Sequence, residues 1–420
     1  MAIRKRYVVA GTGGRGIAMY ARPLLKDFPE TAQLVGLFDH NATRLRAANE
    51  MLKTSQPTFT DFDEMLRKLD PDGVVVTTRD STHAEFVVKT LEAGKRAYSE
   101  KPLCTTADQC RAIARAAAAS SGTGFVTHNM RYRPEVTRIK ELLDGGMIGE
   151  LRAVEFRENL DRSHGAEYFR RWHRHKANSG GLLIHKASHH FDCLNWLAGS
   201  VLKTLSATGG TVFYGKNGPF RHGRCTGCPH AEPCDFYIDF SRNEHARKLY
   251  LEAEEDDGYI RDGCVYDERI DAEDQASVIG EYESGVRLTY SLLAFASYEG
   301  ILMSFEGTKG RIEYESIYGD SWTVDDRIVP GKEALDIERL TLYQPQISVE
   351  QIKIPKVAGS HGGSDPVLRD DFFARPWDAE RPHRMATLDE AIQAVMVGAA
   401  ANESIARGGQ PVRVQELLLG

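Results

Sequence analysis

Three polar residues near the middle of the chain are spaced so that they could act together. His185, His189 and Asp192 stand at i, i+4 and i+7, a spacing that places side chains on one face of a helix. Two imidazoles on one face favour acid–base chemistry, because histidine titrates near neutral pH. Two alternatives stay open. The histidines could be structural residues with internal partners, or they could bind a metal ion together with Asp192.

A second pattern is a cluster of cysteines in a polar segment. Cys225, Cys228 and Cys234 are close together, and Cys264 follows further along the chain. Thiolates at a two-residue spacing chelate one ion, so we expect a structural zinc site with Cys264 as the fourth ligand. An iron–sulfur cluster and free thiols are the alternatives. Zinc would stabilise an insertion, residues 215–273, which is expected to lack its own core.

A glycine-rich motif lies near the N-terminus. Residues 11–16 read Gly-Thr-Gly-Gly-Arg-Gly, which fits G-x-G-x-x-G between a short apolar segment and a helical pattern. Gly11 permits a tight turn, Gly13 lets the backbone approach a pyrophosphate, and Gly16 lets the helix pack on the strand. Asp39 ends the next predicted strand, where a carboxylate binds the ribose hydroxyls of NAD and repels the 2′-phosphate of NADP. The motif therefore predicts a dinucleotide site that prefers NAD.

The elements that must position these residues fall into two groups. Strand and helix patterns alternate over residues 1–128, which predicts an α/β Rossmann domain with a parallel sheet. Extended segments then dominate, so residues 129–420 are expected to form an α+β domain with a large open, mostly antiparallel sheet and the cysteine-rich insertion. We expect the active site where the two domains meet, at the carboxyl ends of the parallel strands.

Bulk composition excludes some classes of protein. The net charge is -7, with 41% hydrophobic and 27% charged residues, so a nucleic-acid-binding protein is not indicated. No apolar run approaches the ~20 residues of a membrane span, and the run at residues 7–10 is too short for a signal peptide. We expect a cytoplasmic homo-oligomer, a dimer or tetramer, that acts on a small molecule.

Several motifs together resemble the Gfo/Idh/MocA family of NAD(P)-dependent sugar and polyol oxidoreductases. Glu100-Lys101-Pro102 follows a predicted strand, and His83-Ala84-Glu85 is similar to the family's helix after the fourth strand. Residues 129–134 look like the family's domain crossover, and residues 180–192 resemble its catalytic helix. The resemblance covers most of the chain and is weakest over residues 215–273.

The resemblance implies roles for individual residues. His189 occupies the position of the family's histidine and is the expected general base, whereas His185 stands where the family has aspartate. Lys101 is expected to orient the substrate hydroxyl and to stabilise negative charge on its oxygen, with His185 and Tyr132 assisting. The expected cofactor contacts come from Gly11, Gly13, Gly14, Arg15, Gly16, Asp39, Thr77, His83, Glu100, Lys101 and Asn129.

The implied function is NAD-dependent oxidation of a hydroxyl on a sugar, sugar derivative or polyol. The alternative is an NAD-dependent glycoside hydrolase that works by transient oxidation, elimination, hydration and re-reduction, because His361-Gly362-Gly363 resembles an element of that family branch. The basic segment 170–176 is either a solvated loop or a receiver for an anionic glycoside. A third alternative is a non-catalytic redox-sensing protein with the cysteine loop as its contact surface.

Overall fold

Alternating strands and helices build the first of two sheets. A computed structural model describes residues 4–318, 337–359 and 362–419. The elements of the N-terminal layer are β1 (Lys5–Ala10), a π-helical turn (Gly16–Ala21), α1 (Arg22–Lys26), β2 (Ala32–Phe38), α2 (Ala42–Leu52), β3 (Thr58–Phe59), α3 (Phe62–Leu69), β4 (Gly73–Val76), α4 (Asp80–Glu92), β5 (Arg96–Ser99), α5 (Ala107–Ala119) and β6 (Thr123–Val126). These strands run parallel in the order β6-β5-β4-β1-β2-β3.

Local sequence explains why these elements form. The four residues of β4 are all buried, as expected for a parallel sheet that is covered by helices on both faces. Asn41 caps α2, and its side chain accepts a hydrogen bond from the Arg44 N–H at 2.8 Å. Asp61 caps α3 in the same way. The helices therefore begin directly after the strands, which places the strand ends and the helix starts at one edge of the sheet.

The rest of the chain builds a second, larger sheet. Its elements are α6 (Pro134–Asp144), β7 (Leu151–Asp161), α7 (Arg162–Arg170), α8 (Lys176–Ser179), α9 (Leu182–His185), α10 (Ser188–Ala198), β8 (Leu202–Gly210), α11 (Glu244–Ala246), α12 (Glu254–Asp257), β9 (Gln275–Tyr282), β10 (Arg287–Ala296), β11 (Glu299–Gly307), β12 (Arg311–Tyr318), β13 (Ile337–Gln344), β14 (Ser348–Gln351), α13 (Ser364–Arg369), β15 (Ala386–Thr387), α14 (Leu388–Ala406), β16 (Val412–Arg413) and α15 (Glu416–Leu419).

The second sheet has nine strands in the order β14-β13-β12-β11-β7-β10-β9-β8-β16. All neighbouring strands are antiparallel except β7 and β10, which run parallel. The expected combination of a Rossmann domain and an α+β domain with a mostly antiparallel sheet is confirmed. β15 pairs antiparallel with β6, so the C-terminal part of the chain also completes the first sheet.

The insertion at residues 215–273 is held by ion pairs and a small apolar cluster. Asp262 is fully buried, accepts hydrogen bonds from the Thr226 N–H and hydroxyl, and pairs with Arg224 at 2.7 Å. Cys225 packs in a small core with Ile238 and Phe240. The insertion therefore has a small core of its own, and the prediction that it lacks one is wrong.

The prediction of a structural zinc site in this insertion gains no support from the structure. Cys225, Cys228, Cys234 and Cys264 form no disulfide. Within the described residues, no three His, Cys, Asp or Glu side chains form an arrangement that could hold a metal ion. The same observation gives no support to the metal interpretation of His185, His189 and Asp192.

The helix predicted across residues 185–192 is interrupted. His185 is the last residue of α9, and α10 begins at Ser188. Asp192 is fully buried and forms two hydrogen bonds of 2.7 Å with the guanidinium of Arg131. Arg131 lies in the 3-10 turn (Asn129–Tyr132) that leads out of the first sheet, so this ion pair fastens α10 to the crossover between the domains.

In the part of the chain that the structure describes, no helix is both long enough and apolar enough to cross a bilayer.

The buried ion pair makes a prediction about stability. Asp192→Ala should lower the free energy of unfolding by about 1.5–3 kcal/mol, because the buried Arg131 guanidinium loses two hydrogen bonds and keeps only its 3.2 Å contact with Glu390. Chemical denaturation measures this change. Asp378→Asn, at an exposed aspartate, is the control and should change the free energy by less than about 0.5 kcal/mol. A loss below about 1 kcal/mol for Asp192→Ala would contradict the assignment.

Candidate active site

The glycine-rich turn after β1 has the shape that a bound pyrophosphate requires. Gly11 has a φ of +98°, and a Cβ on it would lie 2.5 Å from the carbonyl oxygen of Thr77. A Cβ on Gly16 would lie 2.1 Å from the carbonyl oxygen of Gly11. Gly13 differs, because a Cβ there would meet only the Tyr250 hydroxyl at 3.8 Å. Two glycines thus permit close backbone packing, and the third leaves the open cradle that fits a dinucleotide.

Thr77 stabilises this turn from the neighbouring strand. Its hydroxyl lies 2.6 Å from the carbonyl oxygen of Gly11 and 3.0 Å from that of Ala10. Thr77 therefore shapes the glycine turn, and its contact with the cofactor stays a prediction.

Asp39 lies directly after β2, where the sequence predicts a ribose-binding carboxylate. One carboxylate oxygen accepts hydrogen bonds from the Thr12 N–H at 2.8 Å and the Thr12 hydroxyl at 3.0 Å. The other accepts from the Asn41 N–H and from Arg44, both at 3.1 Å. The carboxylate is buried and has protein partners on both oxygens. Its contact with a ribose stays a prediction.

A segment of the insertion lies over the glycine turn. We call residues 244–257 the arm; it comprises α11, a π-helical turn (Arg247–Leu251) and α12. The hydroxyl of Tyr250 accepts a hydrogen bond from the Gly14 N–H at 3.1 Å. A cavity of about 380 Å³ lies between the arm and the helix that follows the glycine turn. The residues that line it include Gly14, Ile17, Tyr250 and Arg261.

Glu100 binds the helix that follows the glycine turn. Its carboxylate accepts hydrogen bonds from Arg15 at 2.7 Å and from the Tyr20 hydroxyl at 2.6 Å. Arg15 also pairs with Asp365 at 3.4 Å, and Asn129 donates to the other oxygen of Asp365 at 2.8 Å. These five residues connect the glycine turn, the segment after β5, the crossover and α13. The Glu100 carboxylate also accepts a hydrogen bond from the Lys101 N–H at 3.2 Å, which holds the Lys101 backbone in place.

Lys101 meets residues of both domains next to the carboxyl ends of the strands. Its ammonium donates to the carbonyl oxygen of His185 at 3.0 Å. The Nδ1 of His185 lies 2.5 Å from the carboxylate of Asp80, the first residue of α4. Asp80 and His185 are 3% and 8% exposed. An ammonium from the turn after β5, an imidazole from α9 and a carboxylate from α4 are thus brought together.

The surroundings of this cluster determine its protonation. Burial lowers the pKa of Lys101 to about 8, the nearby Asp80 carboxylate opposes this change, and the Lys186 ammonium adds to it. Burial and the neighbouring cations lower the pKa of His185 well below its usual value. Burial raises the pKa of Asp80, and the Lys101 ammonium opposes that rise. His185 is therefore neutral at pH 7, which suits a proton acceptor.

His189 lies near the same cluster with a different environment. Its ring centroid is 5.7 Å from that of His128, and its Nδ1 is buried without a hydrogen-bond partner among the described residues. Burial, with Lys101 nearby, lowers its pKa well below the usual value. His189 is thus a second neutral imidazole at the site, but no carboxylate hydrogen bond fixes its tautomer in the described structure.

Two residues with predicted roles in cofactor binding and catalysis, His83 and Tyr132, are packed inside the protein. His83 is buried, with Nδ1 2.8 Å from the carbonyl oxygen of Pro102 and Nε2 3.1 Å from that of Thr78, so it supports the turn that carries Lys101. Tyr132 packs in an apolar cluster with Leu368, and its hydroxyl is buried without a partner among the described residues. The catalytic role of Tyr132 stays a prediction and gains no support from this packing.

Other sequence patterns are placed around the site. In the basic segment, Arg170 pairs with Glu167 at 2.8 Å, Arg174 with Asp267 at 3.5 Å and Lys176 with Glu273 at 3.0 Å. Most of its charge is therefore neutralised internally. The rings of His173 and His185 are 4.0 Å apart, so this segment forms one wall of the site. In the glycine motif before α13, Ser360 and His361 lie outside the described residues.

Sequence reasoning missed Asp80 and Tyr250. Asp80 follows β4 by four residues, and polar residues after parallel strands point to the ligand-binding edge of the sheet, so a signal was present. Tyr250 lies in the insertion, 236 residues from its partner Gly14, and local sequence gives no sign of that contact.

Comparisons with known proteins agree with this geometry. Residues 5–128 match the family model "Oxidoreductase family, NAD-binding Rossmann fold", and residues 140–414 match "Oxidoreductase family, C-terminal alpha/beta domain". The chain is 33% identical to YteT of Bacillus subtilis, an oxidoreductase by name, over 98% of both chains. It is 26% identical to the 2,7-anhydro-N-acetylneuraminate hydratase of Mediterraneibacter gnavus over 49% of this chain and 52% of the relative.

A solved structure shows the same fold. It is an oxidoreductase from Agrobacterium radiobacter in complex with NAD+, L-tartaric acid and magnesium, with a TM-score of 0.68. The two chains are 16% identical, and the match covers 99% of this chain and 100% of the other.

The environment of Lys101 makes a prediction about its titration. Reductive methylation of the lysines with ¹³C, followed by an NMR titration, should give a midpoint of about 8 for Lys101. Asp80→Asn should lower the midpoint further, because the carboxylate favours the ammonium form. Lys101→Arg identifies the resonance by removing it. A midpoint near 10, the usual lysine range, would contradict the buried cluster.

Proposed function

The chain belongs to the Gfo/Idh/MocA family of oxidoreductases, and from this premise we propose that it is an NAD-dependent enzyme that oxidises a hydroxyl-bearing carbon of a sugar, sugar derivative or polyol. The observation that carries the proposal is the cluster of Lys101, His185 and Asp80 beside the glycine turn. NAD, when bound, supplies the hydride acceptor. Gly11, Gly13 and Gly16 would hold its pyrophosphate at the turn.

Each residue of the Lys101, His185 and Asp80 cluster has its own role in removing the proton of the substrate hydroxyl. The Nδ1–H of His185 donates to Asp80, which leaves Nε2 as the acceptor for the proton of a substrate hydroxyl. The Lys101 ammonium stabilises the negative charge that grows on the oxygen. The sequence predicts His189 as the base. Because the carboxylate partner belongs to His185, we assign proton acceptance to His185 and contact with the substrate to His189.

A second candidate function has its own support. The arm lies over the glycine turn, and this favours a cofactor that is not exchanged at every turnover. A glycoside hydrolase that oxidises and re-reduces its substrate within one cycle has that requirement. The hydratase of Mediterraneibacter gnavus is a relative whose name describes a reaction without net redox change.

An assay with paired readouts tests the proposed function. Purified protein and NAD are incubated with free sugars, polyols and aryl glycosides, both neutral and anionic, while NADH absorbance and aglycone release are followed together. NADH that accumulates with a sugar or polyol is the expected result. Aglycone release that requires NAD but leaves no lasting NADH would replace the first function with the second. Neither signal with any compound would contradict both.

The role of Asp80 makes a prediction about rate. Asp80→Asn should lower kcat about 10²–10⁴-fold with little change in the KM for NAD, because the amide no longer holds His185 in the tautomer that accepts a proton at Nε2. Steady-state kinetics on the substrate found above measure the effect. Asp108→Asn, at an exposed aspartate in the first turn of α5, is the matched control. A kcat within about threefold of the wild-type value would contradict the role.

A further inference from the structure

The arm is attached to the first domain by polar contacts along one side. Asn41 donates to the carbonyl oxygen of Ala253 at 2.8 Å, and Arg44 donates to that of Leu249 at 3.1 Å. The Thr43 N–H donates to Asp256 at 2.9 Å. Each of these partners on the first domain lies at the start of α2, just after Asp39. The arm therefore covers the end of the site where a ribose is expected.

A buried charge cluster anchors the end of the arm. Asp257 pairs with the guanidinium of Arg44 at 2.8 Å and lies 3.2 Å from Nε2 of His40. The same guanidinium pairs with Asp39 at 3.1 Å. Arg44 is thus shared between the arm and the carboxylate that the sequence assigns to the ribose, so the two positions are coupled through one cation.

An apolar anchor completes the attachment. Leu249 is buried and packs in the core cluster that contains Leu45 and Ala48 of α2, while Tyr250 packs against the edge of that cluster. The Tyr250 hydroxyl accepts a hydrogen bond from the Gly14 N–H, a backbone donor of the turn that would bind a pyrophosphate. In the free protein the Tyr250 hydroxyl therefore occupies a donor that a bound dinucleotide would use.

We propose that the arm is a gate for the dinucleotide: it opens to admit NAD, closes over it, and must open again before NAD leaves. The inference rests on the proposed function, since it assumes that the glycine turn binds NAD. Opening breaks the contacts that Ala253, Asp256 and Asp257 of the arm make with the start of α2. These contacts join two parts of the protein and do not involve the dinucleotide. They must therefore break both when the dinucleotide binds and when it leaves, so their strength sets both the association and the dissociation rate.

Stopped-flow fluorescence of NADH tests the gate without any turnover. Association is followed after mixing protein with NADH, and dissociation after adding excess NAD to the loaded protein. Asp257→Asn weakens the ion pair with Arg44, and Tyr250→Phe removes the bond to Gly14. Glu255→Gln is the matched control, because Glu255 is exposed on the same short helix. Hydrogen exchange of the arm and of β1 and β4 verifies that each variant keeps its fold.

The gate predicts that Asp257→Asn raises both the association and the dissociation rate by about tenfold, with the Kd within about threefold of the wild-type value. Tyr250→Phe should raise the association rate and leave the dissociation rate within about threefold, because it frees the Gly14 N–H that the dinucleotide would use. A rise in the dissociation rate alone, with a weaker Kd, would show a simple cofactor contact and overturn the gate. Rates equal to those of Glu255→Gln would also overturn it. A protein that binds no NADH at all would instead refute the proposed function.

Discussion

The contact between Asp80 and His185 is the interaction on which the site depends. The two residues come from different domains, and their side chains meet at 2.5 Å in a buried position. A carboxylate is costly to bury alone, so it requires an imidazole N–H and the nearby Lys101 ammonium. The cluster is therefore complete only when α4 and α9 are docked, and domain packing becomes a condition for the chemistry.

Several other interactions serve to keep this docking in register. Arg131 and Asp192 fasten the crossover to α10. Glu158 pairs with Lys186 at 2.8 Å, which neutralises one of the cations that lower the pKa of Lys101 and His185. Strands β15 and β16, from the end of the chain, complete the first and the second sheet. The frame around the site is thus built from buried ion pairs and from terminal strands, of which β15 joins the C-terminal part of the chain to the first sheet.

Sequence could predict the parts of this account that depend on local pattern. The glycine turn, its strand and helix, and the Lys101 position follow from spacing and strand order, and the structure places them together. The role of Asp80 depends on a partner 105 residues away, and that of Tyr250 on a partner 236 residues away. Such contacts arise from domain packing and leave no periodic signal. The zinc site predicted from the cysteine pattern gains no support, because the described side chains do not form a group of three ligands, and local spacing carries no sign of the ion pairs in residues 215–273.

The most direct test of the central claim is the protonation of His185 itself. A two-bond ¹H–¹⁵N spectrum of protein labelled with ¹⁵N-histidine, assigned with His185→Gln, reports the charge and the tautomer of the ring. We predict a neutral ring at pH 7 with its proton on Nδ1, and loss of this preference in Asp80→Asn. A doubly protonated ring at pH 7, or a neutral ring with the proton on Nε2, would contradict it.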